Sequence, residues 1–173
     1  MEIYQITSDY NTPDFDCEDD DLNKFLVEDA KNYQESRIAN TYVLEDEGDL
    51  LAYFCLLTDK VSRSDLTNSK WKAIRNRFPN SKRFNSYPSI KIGRFAVSKG
   101  NKGKHVGSSL LDTIKLMLVD SSLSGLLPAF RFLTVDAYMS AIPFYERNGF
   151  KQLSRKEEDN HTRLMYFDMM EFA

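Results

Sequence analysis

Cysteine and histidine are scarce in this 173-residue chain, at two each, and neither pair has the spacing of a metal-ligand set. The expectation is therefore a protein without a metal. Cys55, inside LLAYFCLL, reads as a small core residue, and Cys17 lies in an acidic loop without the electropositive surroundings that activate a thiolate. Long apolar runs are missing too: the longest, Leu50 to Leu57, is strand-length, far short of the roughly 18 residues that span a bilayer. No membrane partner is expected. The start, MEIYQITSDY, has neither a basic n-region nor an apolar h-region, so no secretory signal is expected and the cytoplasm is the default location.

What is present is globular. Hydrophobic residues make up 42% and charged residues 28%, enough for a chain of this length to bury a core, and the expectation is one domain over residues 1–173. The net charge of −3 hides a strong segregation. Residues 1–59 hold 3 basic and 16 acidic residues, net −13; residues 60–104 hold 13 and 1, net +12; residues 105–173 hold 7 and 9, net −2. A basic middle segment suits a phosphate-bearing ligand or a nucleic acid, or else meets the acidic N-terminal third across the fold.

Periodicity gives a coarse element order. A strand at Glu2–Thr7 precedes a helix that an aspartate near Asp21 caps, with Leu22, Phe25, Leu26, Ala30 and Tyr33 on one face. Asn40–Leu44 and Leu50–Leu57 flank a hairpin turn, and Asp65–Phe78 reads as a helix that Pro79 stops, with Trp71 as an anchor. Tyr87–Val97 is a strand whose apolar phase slips at Gly93–Arg94, either a β-bulge or a strand buried on both faces. A helix from Val106 to Asp120, a strand at Phe130–Asp136, a short helix at Ala141–Arg147 and a strand at Arg163–Met169 complete an α/β (α+β) domain, a mixed sheet covered by helices.

The segment Lys102-Gly103-Lys104-His105-Val106-Gly107-Ser108-Ser109 joins a strand to a helix start. The first amides of a helix have no internal partners and point one way, so such a junction suits an anion, although an ordinary basic loop has the same composition. It lacks the GKS or GKT ending of a Walker A loop and the G-x-G-x-x-G dinucleotide spacing.

Gly93 to Val97 followed by Lys102 to Leu111 resembles motif A of the GNAT acyltransferase superfamily, and Ala137 to Phe150 resembles its motif B. The flanking element order fits as well. The resemblance implies a mostly antiparallel mixed sheet with a bulged strand and helices on both faces. It also implies acetyl-CoA as the acyl donor and N-acetyl transfer to an amine. Phe95, Ala96 and Val97 would then hold the pantetheine arm and acyl carbonyl. Lys102, Gly103, Lys104, His105, Val106, Gly107 and Ser108 would hold the pyrophosphate.

Tyr145 matches the family's tyrosine that protonates the departing sulfur; a phenol of pKa about 10 stays protonated at pH 7 beside a thiolate whose acid has pKa about 8.5. Phe144 beside it is expected to pack inward. His105 stands at a usual glycine position, and Tyr138 stands where many members have asparagine, so an asparagine contact to the donor is not implied. Glu45, Glu47, Asp136 and water chains are the candidate bases for the attacking amine. Direct attack in a ternary complex follows from the lack of an activated cysteine.

The leading expectation is an N-acetyltransferase acting on a small-molecule or aminoacyl amine. Phe15-x-Cys17 followed by Leu22, Phe25, Leu26 and Ala30 is similar to the N-terminal part of GNAT toxins that acetylate aminoacyl-tRNA and are neutralised by an antitoxin. That secondary reading adds tRNA and an antitoxin as partners, with a homodimer open in either case. A pI near 5.5 weighs against tRNA. A catalytically silent acyl-CoA-binding module is the alternative of a different class.

Overall fold

The computed structural model describes residues 1–78, 84–153 and 160–172. Its strands are β1 (Glu2–Gln5), β2 (Asn40–Asp46), β3 (Asp49–Ser62), β4 (Ser86–Val97), β5 (Phe132–Tyr138), β6 (Lys151–Gln152) and β7 (Thr162–Asp168). They form one sheet in the order β1-β2-β3-β4-β5-β7-β6. The ladders β1·β2, β2·β3, β5·β7 and β6·β7 are antiparallel. The helices are α1 (Asp20–Lys24), α2 (Ala30–Glu35), α3 (Asn68–Arg75), α4 (Val106–Leu123) and α5 (Ile142–Arg147). The architecture is the α/β class that the element order implied. Among the described residues, no helix is long and apolar enough to cross a membrane.

Contacts divide the chain into two compact units, residues 1–57 with 92–114, and residues 58–91 with 115–173. In the first unit, Asp19 caps α1 by accepting the Leu22 N–H at 3.0 Å. The expected single helix is interrupted: Phe25–Asp29 form a π-helical turn between α1 and α2, closed by Ala30 N–H to Phe25 C=O. The Tyr53 hydroxyl donates to the Leu22 carbonyl at 2.7 Å at this irregularity. Phe25, Leu26 and Ala30 pack with Val43, Tyr53, Cys55 and Ala96 in the core of this unit. The β2–β3 hairpin is tighter than expected, because Glu47 and Gly48 adopt φ of 52° and 92°, the left-handed pair that matches strand twist.

In the second unit, Trp71 and Ile74 of α3 pack with Val61, Leu66, Tyr87, Phe132 and Tyr166. Tyr87 is sandwiched by stacked Phe78 at 4.0 Å and Trp71 at 5.3 Å between ring centroids. The α3 helix is shorter than the expected Asp65–Phe78, since Arg63–Asp65 form a separate 3-10 turn; the stop assigned to Pro79 lies outside the described residues. Two-residue β6 is an element that the sequence reading did not contain. Near the chain end, buried Asp168 accepts from Arg131 Nη2 and Arg77 Nη1, each at 3.0 Å, while Arg131 Nε makes a 2.6 Å charge contact with its other oxygen. Burial acts to raise the Asp168 pKa, but the two arginines outweigh it and hold the carboxyl below its usual range.

Candidate active site

In the first unit, the segment after β4 is pinned by Ser98 N–H to Leu51 C=O at 2.8 Å and by Lys99 N–H to Asp16 C=O at 2.7 Å. The chain then turns through two left-handed residues, Gly103 at φ 76° and His105 at φ 62°. A Cβ on Gly103 would meet nothing within 4 Å, so glycine is required there by backbone angle and not by crowding. His105 occupies the glycine-like position with an L side chain and carries the strain. At the start of α4, the Ser109 N–H donates to the His105 carbonyl at 3.0 Å. The amides of Val106, Gly107 and Ser108 precede that bond, as helix geometry requires, and form a polarised set of donors suited to an anion.

The side chains of this loop divide. Gly103, Lys104 and His105 are exposed, and Val106, Gly107 and Ser108 half-buried. Lys102 is engaged elsewhere, its Nζ donating to the Cys17 carbonyl at 2.6 Å and to Glu18 at 3.0 Å; Lys99 pairs with the same Glu18 at 3.4 Å. At these two lysines, the basic segment does meet the acidic one. The Glu18 carboxyl is held below its usual range, chiefly by the Lys102 hydrogen bond.

Upstream, Ala96 is core, whereas Phe95 and Val97 are half-buried. Tyr87 and Ser89 are buried on one alternation of β4, and Ile90, Ile92 and Ala96 on the other. Between Ile92 and Ala96, on their own alternation, stands exposed Arg94. Its guanidinium lies 5.0 Å from the Phe25 ring centroid. Gly93 has a spatial reason: a Cβ there would approach Leu57 Cδ2 at 2.8 Å and Cys55 Sγ at 3.0 Å. Among the described ladders, the register irregularity that appears lies between Leu44 and Glu45.

In the second unit, Tyr145 sits on α5 and is 5% exposed. Its ring meets Phe144 and Phe150 edge-on, at 5.1 and 5.3 Å. Burial pushes its phenol well above the usual value, so it remains a proton-bearing donor through neutral and alkaline pH. Phe144 is only half-buried; it is Tyr145 that packs inward. The helix ends as Asn148–Gly149 implied: Gly149, at φ 85°, donates to the Glu146 carbonyl, and Phe150 to the Tyr145 carbonyl, each at 3.0 Å. Buried Lys115 of α4 donates to the Asn148 carbonyl at 3.0 Å, with its ammonium 4.5 Å from the Phe167 centroid and 5.9 Å from that of Phe150. The sequence reading missed Lys115, although a lysine inside the apolar stripe of a helix is itself a signal. Tyr138 is exposed.

The candidate carboxylates are tied up to different degrees. Glu45 accepts from the Tyr4 and Tyr10 hydroxyls at 2.6 and 2.7 Å, and Glu47 belongs to the hairpin turn. Asp136 is ion-paired with Lys91. Both thiols are buried; burial raises Cys17 and pushes Cys55 up to about 11, so neither is a thiolate nucleophile at neutral pH. Among the described residues, no group of three or more His, Cys, Asp or Glu side chains is placed to hold a metal ion. The second unit also holds a cavity of about 480 Å³, bordered by Asp59, Lys91 and Thr134, which no sequence pattern announced.

Comparison with known proteins matches residues 37–152 to a family model described as Acetyltransferase (GNAT) domain. Among solved structures, a tyrosine-to-phenylalanine mutant of KacT is similar at 26% identity and TM-score 0.78, covering 99% of this chain and 96% of that one. AtaT complexed with acetyl-methionyl-tRNAfMet is similar at 23% identity and TM-score 0.77, covering 98% of this chain and 95% of that one. A mutant AtaT toxin bound to the C-terminus of the antitoxin AtaR and to acetyl-CoA is similar at 20% identity and TM-score 0.72, covering 99% and 94%.

Proposed function

Because this chain belongs to the GNAT acetyltransferase family, we propose that it is a toxin-type member, an acetyl-CoA-dependent N-acetyltransferase that modifies the α-amine of an aminoacyl-tRNA. The observation that supports the acyl donor is the loop ahead of α4, where left-handed Gly103 and His105 lead into the first helical amides, those of Val106, Gly107 and Ser108, a position that suits an anion. A diphosphate fits that donor set. The observation that favours a tRNA acceptor over a small amine is whole-chain similarity to AtaT, whose solved structure is a complex with acetyl-methionyl-tRNAfMet. An antitoxin is the protein partner on this reading, as it is for AtaT. The single catalytic domain spans residues 1–173 and acts where aminoacyl-tRNA is, in the cytoplasm.

Each residue then has a role. The Phe95–Val97 backbone holds the pantetheine arm, and the segment from Lys102 to Ser108 holds the pyrophosphate, with Lys102 bracing the loop against Cys17 and Glu18. The neutral amine attacks the thioester carbonyl, a C–N bond forms and the C–S bond breaks. The Tyr145 hydroxyl donates to the departing sulfur while the amine gives up its proton to solvent or a carboxylate. A lysine-like amine of pKa about 10.4 would be neutral in about one molecule in 10³ at pH 7. The α-amine of an aminoacyl group, nearer 8 as a free terminus, costs far less to deprotonate.

The test is thiol release from acetyl-CoA with an aminoacyl-tRNA pool, set beside growth on expression. Wild type is expected to release thiol and arrest growth. Tyr145→Phe is expected to lower kcat by about 10²–10³-fold and to relieve the arrest. Acetyl-CoA binding with no thiol release for any amine would point instead to the silent binding module.

A further inference from the structure

The second unit contains two adjoining cavities that share Lys60, Ser62 and Ser64 in their walls, and carboxylates line one of them and not the other. One, of about 500 Å³, is bordered by Lys60, Arg63, Asn68, Asn85 and three serines, every one a hydrogen-bond donor and none a carboxylate. The other, of about 480 Å³, brings in Asp59 and Asp65 together with Leu66 and Leu164. Asp59 is oriented by fully buried Thr134, whose hydroxyl donates to it at 3.2 Å. Lys91, also in that wall, is already paired with Asp136. Beyond the first cavity, α3 presents Lys70, Lys72 and Arg75 as exposed cations, part of the segment of net +12.

We infer that this cleft is the acceptor site and that it reads polarity. The donor-lined chamber seats the terminal phosphodiesters of an RNA 3′ end, and the Asp59 chamber takes the aminoacyl group with its α-ammonium against the carboxylate. The inference rests on the aminoacyl-tRNA reading above and specifies which surface carries it. Two features on the page support the orientation. A chamber without carboxylates repels no phosphate, whereas one with two carboxylates beside an apolar wall attracts an amine attached to a side chain. A substrate that carries both groups fits a cleft in which one chamber has cations alone and the adjoining one adds two carboxylates.

The experiment compares two acceptors, an aminoacyl-tRNA and the corresponding aminoacyl amide, which has the amine and no phosphate, at several salt concentrations. Lys60→Ala and Arg63→Ala, both at exposed side chains, are each expected to lower kcat/KM for the tRNA about tenfold. Each should also flatten the log–log salt dependence by about 0.7–0.9, the value for one lost phosphate contact, and leave the amide unchanged. Asp59→Asn, which keeps an oxygen for Thr134, is expected to raise KM for both acceptors several-fold. Unchanged salt slopes in the two alanine variants, or equal losses on the amide, would overturn the inference while leaving tRNA acetylation standing. Failure of the wild type to acetylate any aminoacyl-tRNA would bring down the parent reading, and this inference with it.

Discussion

His105 shows what one residue can contribute through its backbone alone. An L residue in the left-handed region costs about 1–2 kcal/mol, against which glycine adds about 0.5–1 kcal/mol of unfolded-state entropy. His105→Gly is therefore expected to stabilise the protein by about 0.5–1 kcal/mol in urea unfolding and to leave acetyl-CoA affinity within a few-fold by calorimetry. A loss of stability would show that the imidazole itself holds the loop. The unusual position was legible in the sequence, because the loop pattern placed a histidine where flexibility is needed. Tyr145 was legible for its chemistry but not for its surroundings: sequence spacing does not report that the phenol is enclosed by Phe144 and Phe150.

At the scale of elements, α5 is a six-residue helix, too short to hold its own orientation by internal hydrogen bonds. Lys115 supplies what it lacks. The ammonium closes the helix C-terminus at the Asn148 carbonyl and stands among aromatic rings, where charge is favourable at both contacts. Lys115→Met keeps the stem and removes the donor, so it is expected to cost about 2–3 kcal/mol of stability. The kcat should fall about five- to tenfold with KM for acetyl-CoA unchanged, and Lys115→Arg should recover part of both. An unaltered kcat at the same stability loss would make the lysine structural only. The helix α4 and the presence of each long strand were legible from periodicity, although β3 runs Asp49–Ser62, past the expected end at Leu57. What escaped were features without a period: the π-helical turn at Phe25–Asp29, two-residue β6, and the separation of Arg63–Asp65 from α3. The pairing of β6 with β7 joins residues far apart in sequence, whereas the π-helical and 3-10 turns close through local bonds, Ala30 to Phe25 and Leu66 to Arg63, that leave no apolar period.

For the molecule as a whole, the perturbed groups set a pH window. Asp168 has its pKa lowered in the folded state, so the stability it contributes is present above about 3.9, its unfolded value, and is lost as pH falls through the folded one. Tyr53 and Tyr145 have theirs raised, mainly by burial, so their contribution is complete below 10.0 and disappears as the unfolded chain ionises above it. The thermal midpoint is expected to be flat between about pH 5 and 9 and to fall on both sides. No decline by pH 11 would mean that these phenols ionise as readily folded as unfolded. Charge segregation was plain in the sequence, but its outcome was not: Lys99 and Lys102 turn to Glu18, while the cations of α3 face solvent. Sequence order cannot tell an internal tether from an outward field.

The loop ahead of α4 takes its shape from two torsion angles and one tether: Gly103 and His105 supply the angles, and Lys102 supplies the tether to Cys17 and Glu18. Exposed Lys104, between the two angles, is the letter of that segment which substitution can change without touching either.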